Sequence, residues 1–200
     1  MDEDSQPWPK LGDSLFKLTG DWWNIACLNI HPGNWYPYAE GYNRAANILV
    51  TYVEEHNRNQ DFLVYPIVFL YRQYLELQLK LLIRDGSDLL DRSFDLLMHH
   101  DIRSLWNDCR SILESLWPDS PTSDLDAVQS CISELNVIDP KSMSFRYPVD
   151  KKGDAVVFPM NHINLKHVAD VMSRLAGLLN ACHMAIDHEL EVRQEMRDYY

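Results

Sequence analysis

Three groups of residues in this sequence have types and spacings that could do chemistry. Arg72, Glu76 and Lys80 recur at i, i+4 and i+8 inside an apolar run, so on a helix they form one charged stripe. On a solvated face the stripe would be a row of ion pairs worth about 0.2–0.5 kcal/mol each. Among Phe69, Tyr71, Tyr74, Leu75, Leu77 and Leu79 it could instead lie partly buried, where a carboxylate has to be paired with a cation. The second group is His99-His100-Asp101. Either histidine is an acid–base candidate, and Asp101 or His100 could equally cap the helix that follows. The third is Ser142 to Asp150, in which Arg146 stands between Phe145 and Tyr147 and Pro148 follows. A guanidinium held that stiffly suits an anionic ligand such as a phosphate; the alternative is an ordered loop in which it caps a helix C-terminus.

Lys151 and Lys152 make this third stretch the most basic spot in the chain, so Tyr147, Asp150, Lys151 and Lys152 join Arg72, Glu76 and Lys80 as binding candidates. The remaining histidines (His31, His56, His162, His167, His183 and His188) form no HExxH, and pairs five apart do not share a helix face. No metal site and no cofactor is expected.

The elements that must position these groups are mostly helical. Tyr42, Ala45, Ile48, Leu49, Tyr52 and Val53 predict a helix over about 38–56. A second, over about 61–84, is apolar nearly all round, as a central buried helix should be. Asp61 is placed to cap it, Pro66 lies near its start, and Asp85-Gly86-Ser87 is expected to end it. Ile102 to Leu116 carries a third pattern, predicting a helix over about 99–116. Leu125 to Leu135 gives a fourth, short helix stopped at Asp139-Pro140. Residues 144–158 read as a short hairpin or structured loop around Lys151-Lys152-Gly153-Asp154. A long amphipathic helix over about 164–196 closes the chain, and its charged last turns, Glu189 to Arg197, are expected to project into solvent. Five helices with short links make an all-α bundle over 39–200. Residues 1–38, with Trp8, Trp22, Trp23, Trp35, Tyr36 and Tyr38 among Pro7, Pro9, Pro32 and Pro37, form an irregular aromatic arm that packs over the bundle or meets a partner.

Composition removes several functional classes. The chain has 200 residues and a net charge of −12, so bulk charge does not draw it to nucleic acid, and any such contact needs a local basic patch. Only 7 glycines are present and neither GxGxxG nor GxxxxGK[ST] occurs, which counts against dinucleotide and P-loop folds. Cys27, Cys109, Cys131 and Cys182 form no CxxC pair and read as free thiols in a reducing compartment. Met1-Asp2-Glu3-Asp4 is no secretory leader, and the apolar stretch 62–83 is too often interrupted by polar groups to span a membrane. A cytoplasmic protein is expected.

Taken in order, the three groups resemble the HEPN superfamily (higher eukaryotes and prokaryotes nucleotide-binding), an all-α bundle. The resemblance rests on Glu76-Leu-Gln-Leu-Lys80, on His100-Asp101-Ile102 leading to Leu105, and on Arg146-Tyr147-Pro148-Val149-Asp150, and it spans roughly 61–190. It implies a metal-independent endoribonuclease or toxin-type effector in bacterial defence, working as a homodimer or with an antitoxin partner. In that setting Arg146 would steady a phosphate and His100 or His99 would move a proton. The family's Arg-x4–6-His spacing is missing after Arg146, where no histidine follows within seven residues; Arg92 and His99 are the one formal match. The alternative is a non-catalytic module of the same fold that binds RNA, a nucleotide or a protein partner.

Overall fold

A computed structural model of the chain describes residues 8–28, 33–94 and 99–199. Pro7, His31, Pro32 and the Met1–Asp4 terminus lie outside the described residues. The chain divides into two units, Met1–Gly33 and Asn34–Tyr200. The first holds one turn of 3-10 helix, Trp22–Asn24. The second is a helical bundle: α1 (Tyr36–His56), α2 (Gln60–Leu89), α3 (Ile102–Leu116), α4 (Ser123–Ile138) and α5 (Leu165–Tyr199). Trp35, Tyr36 and Tyr38 therefore belong to the bundle and start its first helix.

The described core is organised around α2, which packs against α1, α3 and α5, while α4 lies on α3. α2 carries more buried residues than any other helix, as its all-round apolar pattern predicts. Tyr71, Leu75, Leu79 and Leu82 meet Leu105, Trp106 and Cys109 from α3 and Leu175 and Leu179 from α5 in one cluster.

α2 departs from expectation at both ends. Its start is set by Asn59, in the left-handed conformation at φ 66°, and Asp61 sits inside the first turn. Asn is one of the few non-glycine residues that adopts this region readily. Pro66 consequently falls in the second turn, where its missing N–H leaves the Phe62 carbonyl without a helical donor. At the other end the helix runs through Asp85-Gly86-Ser87 to Leu89. Gly86 is there for close approach: a Cβ would come within 2.5 Å of Ile112 Cγ2 on α3.

Local signals fix the other boundaries. Asp101 caps α3, its Oδ1 accepting from the N–H groups of Arg103 and Ser104. Asn164 does the same for α5 through the His167 N–H, at 3.0 Å. The far end of α5 does not simply project into solvent, because Arg193 folds back to donate to the Asp88 carbonyl and carboxylate at 2.8 and 2.9 Å. Residues 144–158 form a loop with a single antiparallel bridge, Val149 to Ala155, and there is no strand among the described residues. No helix among them is long and apolar enough to cross a membrane.

Candidate functional site

The stripe on α2 is buried: Arg72 is 0 %, Glu76 1 % and Lys80 6 % exposed. Charge in such a place survives only if it is neutralised and hydrogen-bonded. Glu76 Oε1 accepts from Lys80 Nζ at 2.9 Å and Glu76 Oε2 from Arg72 Nη1 at 3.2 Å. The remaining capacity of Oε1 goes to His100, whose Nδ1 lies 2.7 Å away. Arg72 spends its other donors on backbone, giving Nη2 to the His100 carbonyl at 2.7 Å and Nε to the Asp139 carbonyl at 3.3 Å. Asp139, itself buried at the end of α4, stands 3.6 Å from Arg72 Nε through Oδ2. Two cations and two carboxylates thus cancel inside the bundle, tying α2 to the start of α3 and the end of α4.

Asp139 was legible only as a helix stop. In the structure its Oδ1 accepts from the N–H groups of Met143 and Ser144, which sets the turn before Arg146. Ser142 makes that turn at φ 57°.

His100 differs from its partners in being 64 % exposed while held by a carboxylate that is almost fully buried. Burial alone would raise the Glu76 carboxyl, but the hydrogen bonds and charges of Lys80 and His100 outweigh it and leave the pKa below the ordinary value. An ionised Glu76 can only accept, so the hydrogen bond places a proton on His100 Nδ1, and Nε2 makes no hydrogen bond among the described residues. A buried carboxylate orienting a histidine whose second nitrogen is open is a general acid–base arrangement. His99 is exposed and joins no hydrogen bond or ion pair among the described residues.

Arg146 belongs to a second, separate patch. Its Nε donates to the Ser142 carbonyl and its Nη2 reaches Met143 Sδ at 3.2 Å. The guanidinium lies over the rings of Phe69 and Tyr147, 5.6 and 5.7 Å from their centroids. It therefore closes no ion pair with Glu76, and Glu76 takes Arg72 and Lys80 instead. A cavity of about 260 Å³ opens beside it, lined by Tyr65, Ser144, Phe145, Tyr147 and Phe158. Lys151 and Lys152 are exposed on the neighbouring loop. Asp150 is not free to bind: its Oδ1 accepts from the N–H groups of Lys152 and Asp154 and shapes the turn.

Phe69 and Glu76 are seven residues apart on one face of α2, about 10 Å along the axis. The helix thus anchors Arg146 and His100 on the same side but two turns apart. Tyr65 and Phe69 escaped the sequence reading because they look like ordinary core residues of an apolar helix. The chain matches no family model, no curated protein and no solved structure.

Proposed function

We propose that this protein is a HEPN-like RNA-cleaving protein that needs no metal ion for the chemical step, with His100 as its acid–base residue. The observation that carries the reading is the 2.7 Å contact between His100 Nδ1 and the buried Glu76, which leaves Nε2 open. In RNA the 2′-hydroxyl gives its proton to Nε2, the 2′-oxygen attacks the adjacent phosphorus, and the 5′-oxygen leaves with a proton. The products are a 2′,3′-cyclic phosphate and a 5′-hydroxyl. The step needs an acid as well as a base, and a homodimer would bring a second His100 for that purpose.

With the two anchors on α2 about 10 Å apart, Arg146 takes a phosphate neighbouring the one at His100. The aromatic cavity beside Arg146 receives a base by stacking, and Lys151 and Lys152 add charge. A toxin-type effector held by an antitoxin partner is the setting this chemistry suits. That same separation of Arg146 from His100 favours a second reading, a non-catalytic module that grips RNA, a nucleotide or a protein partner.

The test is incubation of purified protein with labelled single-stranded RNA in chelator. His100→Asn is expected to cut at least ~100-fold more slowly with RNA affinity unchanged. Arg146→Lys is expected to weaken binding nearly as much as Arg146→Ala, because a point charge does not replace a bidentate, stacked guanidinium. Cleavage that survives loss of both His99 and His100 would remove them from the mechanism, and binding without any cleavage would establish the second reading.

A further inference from the structure

On the opposite side of α2 a second cluster stands apart from the RNA reading. Asp85 lies nine residues after Glu76, half a turn round and about 13 Å along the helix. Asp85 is 9 % exposed and so is His183 of α5. His183 Nε2 stands 3.4 Å from Asp85 Oδ2 and 3.3 Å from Asp187 Oδ2, one helical turn further along α5. All three ligand atoms lie within 4.8 Å of one another.

These separations are long for hydrogen bonds, which favour about 2.7–3.2 Å, and one ring nitrogen carries at most one proton for two carboxylates. The two separations from Nε2 suit atoms sharing a metal. Bonds of about 2.0–2.2 Å to zinc put neighbouring ligand atoms of a tetrahedron roughly 3.3–3.5 Å apart. The side chains around the cluster fix its ligands. Arg84 donates Nε to Asp85 Oδ1 at 2.6 Å and Nη2 to Asp85 Oδ2 at 3.1 Å, which holds the carboxylate in place. The Tyr36 ring stacks on the imidazole at 6.0 Å between centroids. Outer partners of this kind hold metal ligands in orientation.

We infer that Asp85, His183 and Asp187 form a binding site for a divalent first-row transition metal ion of the zinc class. One nitrogen and two carboxylate oxygens suit an ion of that intermediate hardness. Asp187, with 48 % of its side chain exposed, is the ligand that faces solvent, and the fourth position goes to water. The site joins α2 to α5, so an ion held there ties two helices of the bundle together.

The experiment uses the full chain, stripped with chelator and titrated with Zn2+ by calorimetry, with thermal unfolding followed in parallel and no RNA present. One Zn2+ per chain and a Tm that rises with Zn2+ are expected. Asp187→Asn should unfold in chelator at the wild-type temperature yet bind Zn2+ at least about tenfold more weakly. His183→Gln should lose the Zn2+-dependent rise in Tm, and His167→Asn, elsewhere on α5, should keep it. Unchanged Zn2+ affinity in both Asp187→Asn and His183→Gln would overturn the inference. So would loss of binding in His167→Asn alone, or no saturable binding to the wild-type chain.

Discussion

Glu76 is the residue on which the candidate site turns, because its two oxygens answer Lys80, Arg72 and His100 together. Replacing it leaves two buried cations without their shared anion. Glu76→Ala is therefore expected to cost about 3–5 kcal/mol in equilibrium unfolding, and a loss under about 0.5 kcal/mol would contradict the buried network. The carboxyl is held below its ordinary pKa, so the folded state binds that proton less readily than the unfolded chain. Its contribution is complete above the unfolded-state value of about 4.3 and disappears as pH falls through the lower folded-state value. Stability of the wild type should fall across this acid range, and Glu76→Gln should flatten that fall; parallel denaturation curves at pH 6 and pH 3 for both proteins would check it. The spacing of Arg72, Glu76 and Lys80 revealed the stripe in advance, since periodicity is local. That His100 closes on Glu76 was not legible, because it depends on where the start of α3 lands beside α2.

At the scale of elements, the helices follow from apolar periodicity, while their ends depend on contacts the periodicity does not encode. α2 shows why. Asp85-Gly86-Ser87 has the composition of a helix stop, yet packing against α3 and α5 carries the helix on to Leu89. Gly86 serves the interface: its missing side chain admits Ile112, with Ile186 and Leu116 also near. Gly86→Ala should raise intrinsic helix propensity by about 1 kcal/mol, but the added methyl meets Ile112 Cγ2 at 2.5 Å. Overpacking of this kind costs about 1–3 kcal/mol. A net destabilisation is therefore expected in thermal or urea unfolding, and a more stable Gly86→Ala would show that α2 and α3 have room to part. Of the two forms expected for residues 144–158, a short hairpin or a loop, the chain takes the loop for a related reason. The Asp139 and Asp150 carboxylates bind nearby backbone N–H groups and commit the chain to turns, leaving only one bridge.

At the scale of the whole molecule, a net charge of −12 bears directly on the proposal that the chain binds a polyanion. Its own field repels RNA, so the proposed association would depend on the short basic stretch formed by Arg146, Lys151 and Lys152. That patch was visible in the sequence as a local reversal of charge. Its aromatic half was only partly visible, because Tyr65 and Phe69 are supplied by α2 and reach Arg146 only through the fold. The cluster of Asp85, His183 and Asp187 escaped for the same reason, two of its residues coming from α5 and one from α2. If RNA binds where we propose, about three phosphates are neutralised, and the single-strand slope of about −0.7 per phosphate gives log K falling roughly 2 per decade of salt. Affinity for a single-stranded RNA should then drop about 15–20-fold between 50 and 200 mM salt. Joint substitution of Lys151 and Lys152 by Gln should bring the slope to roughly −0.7, leaving Arg146 as the remaining contact. A wild-type slope near zero, measured by fluorescence anisotropy across that range, would show that RNA does not engage this patch.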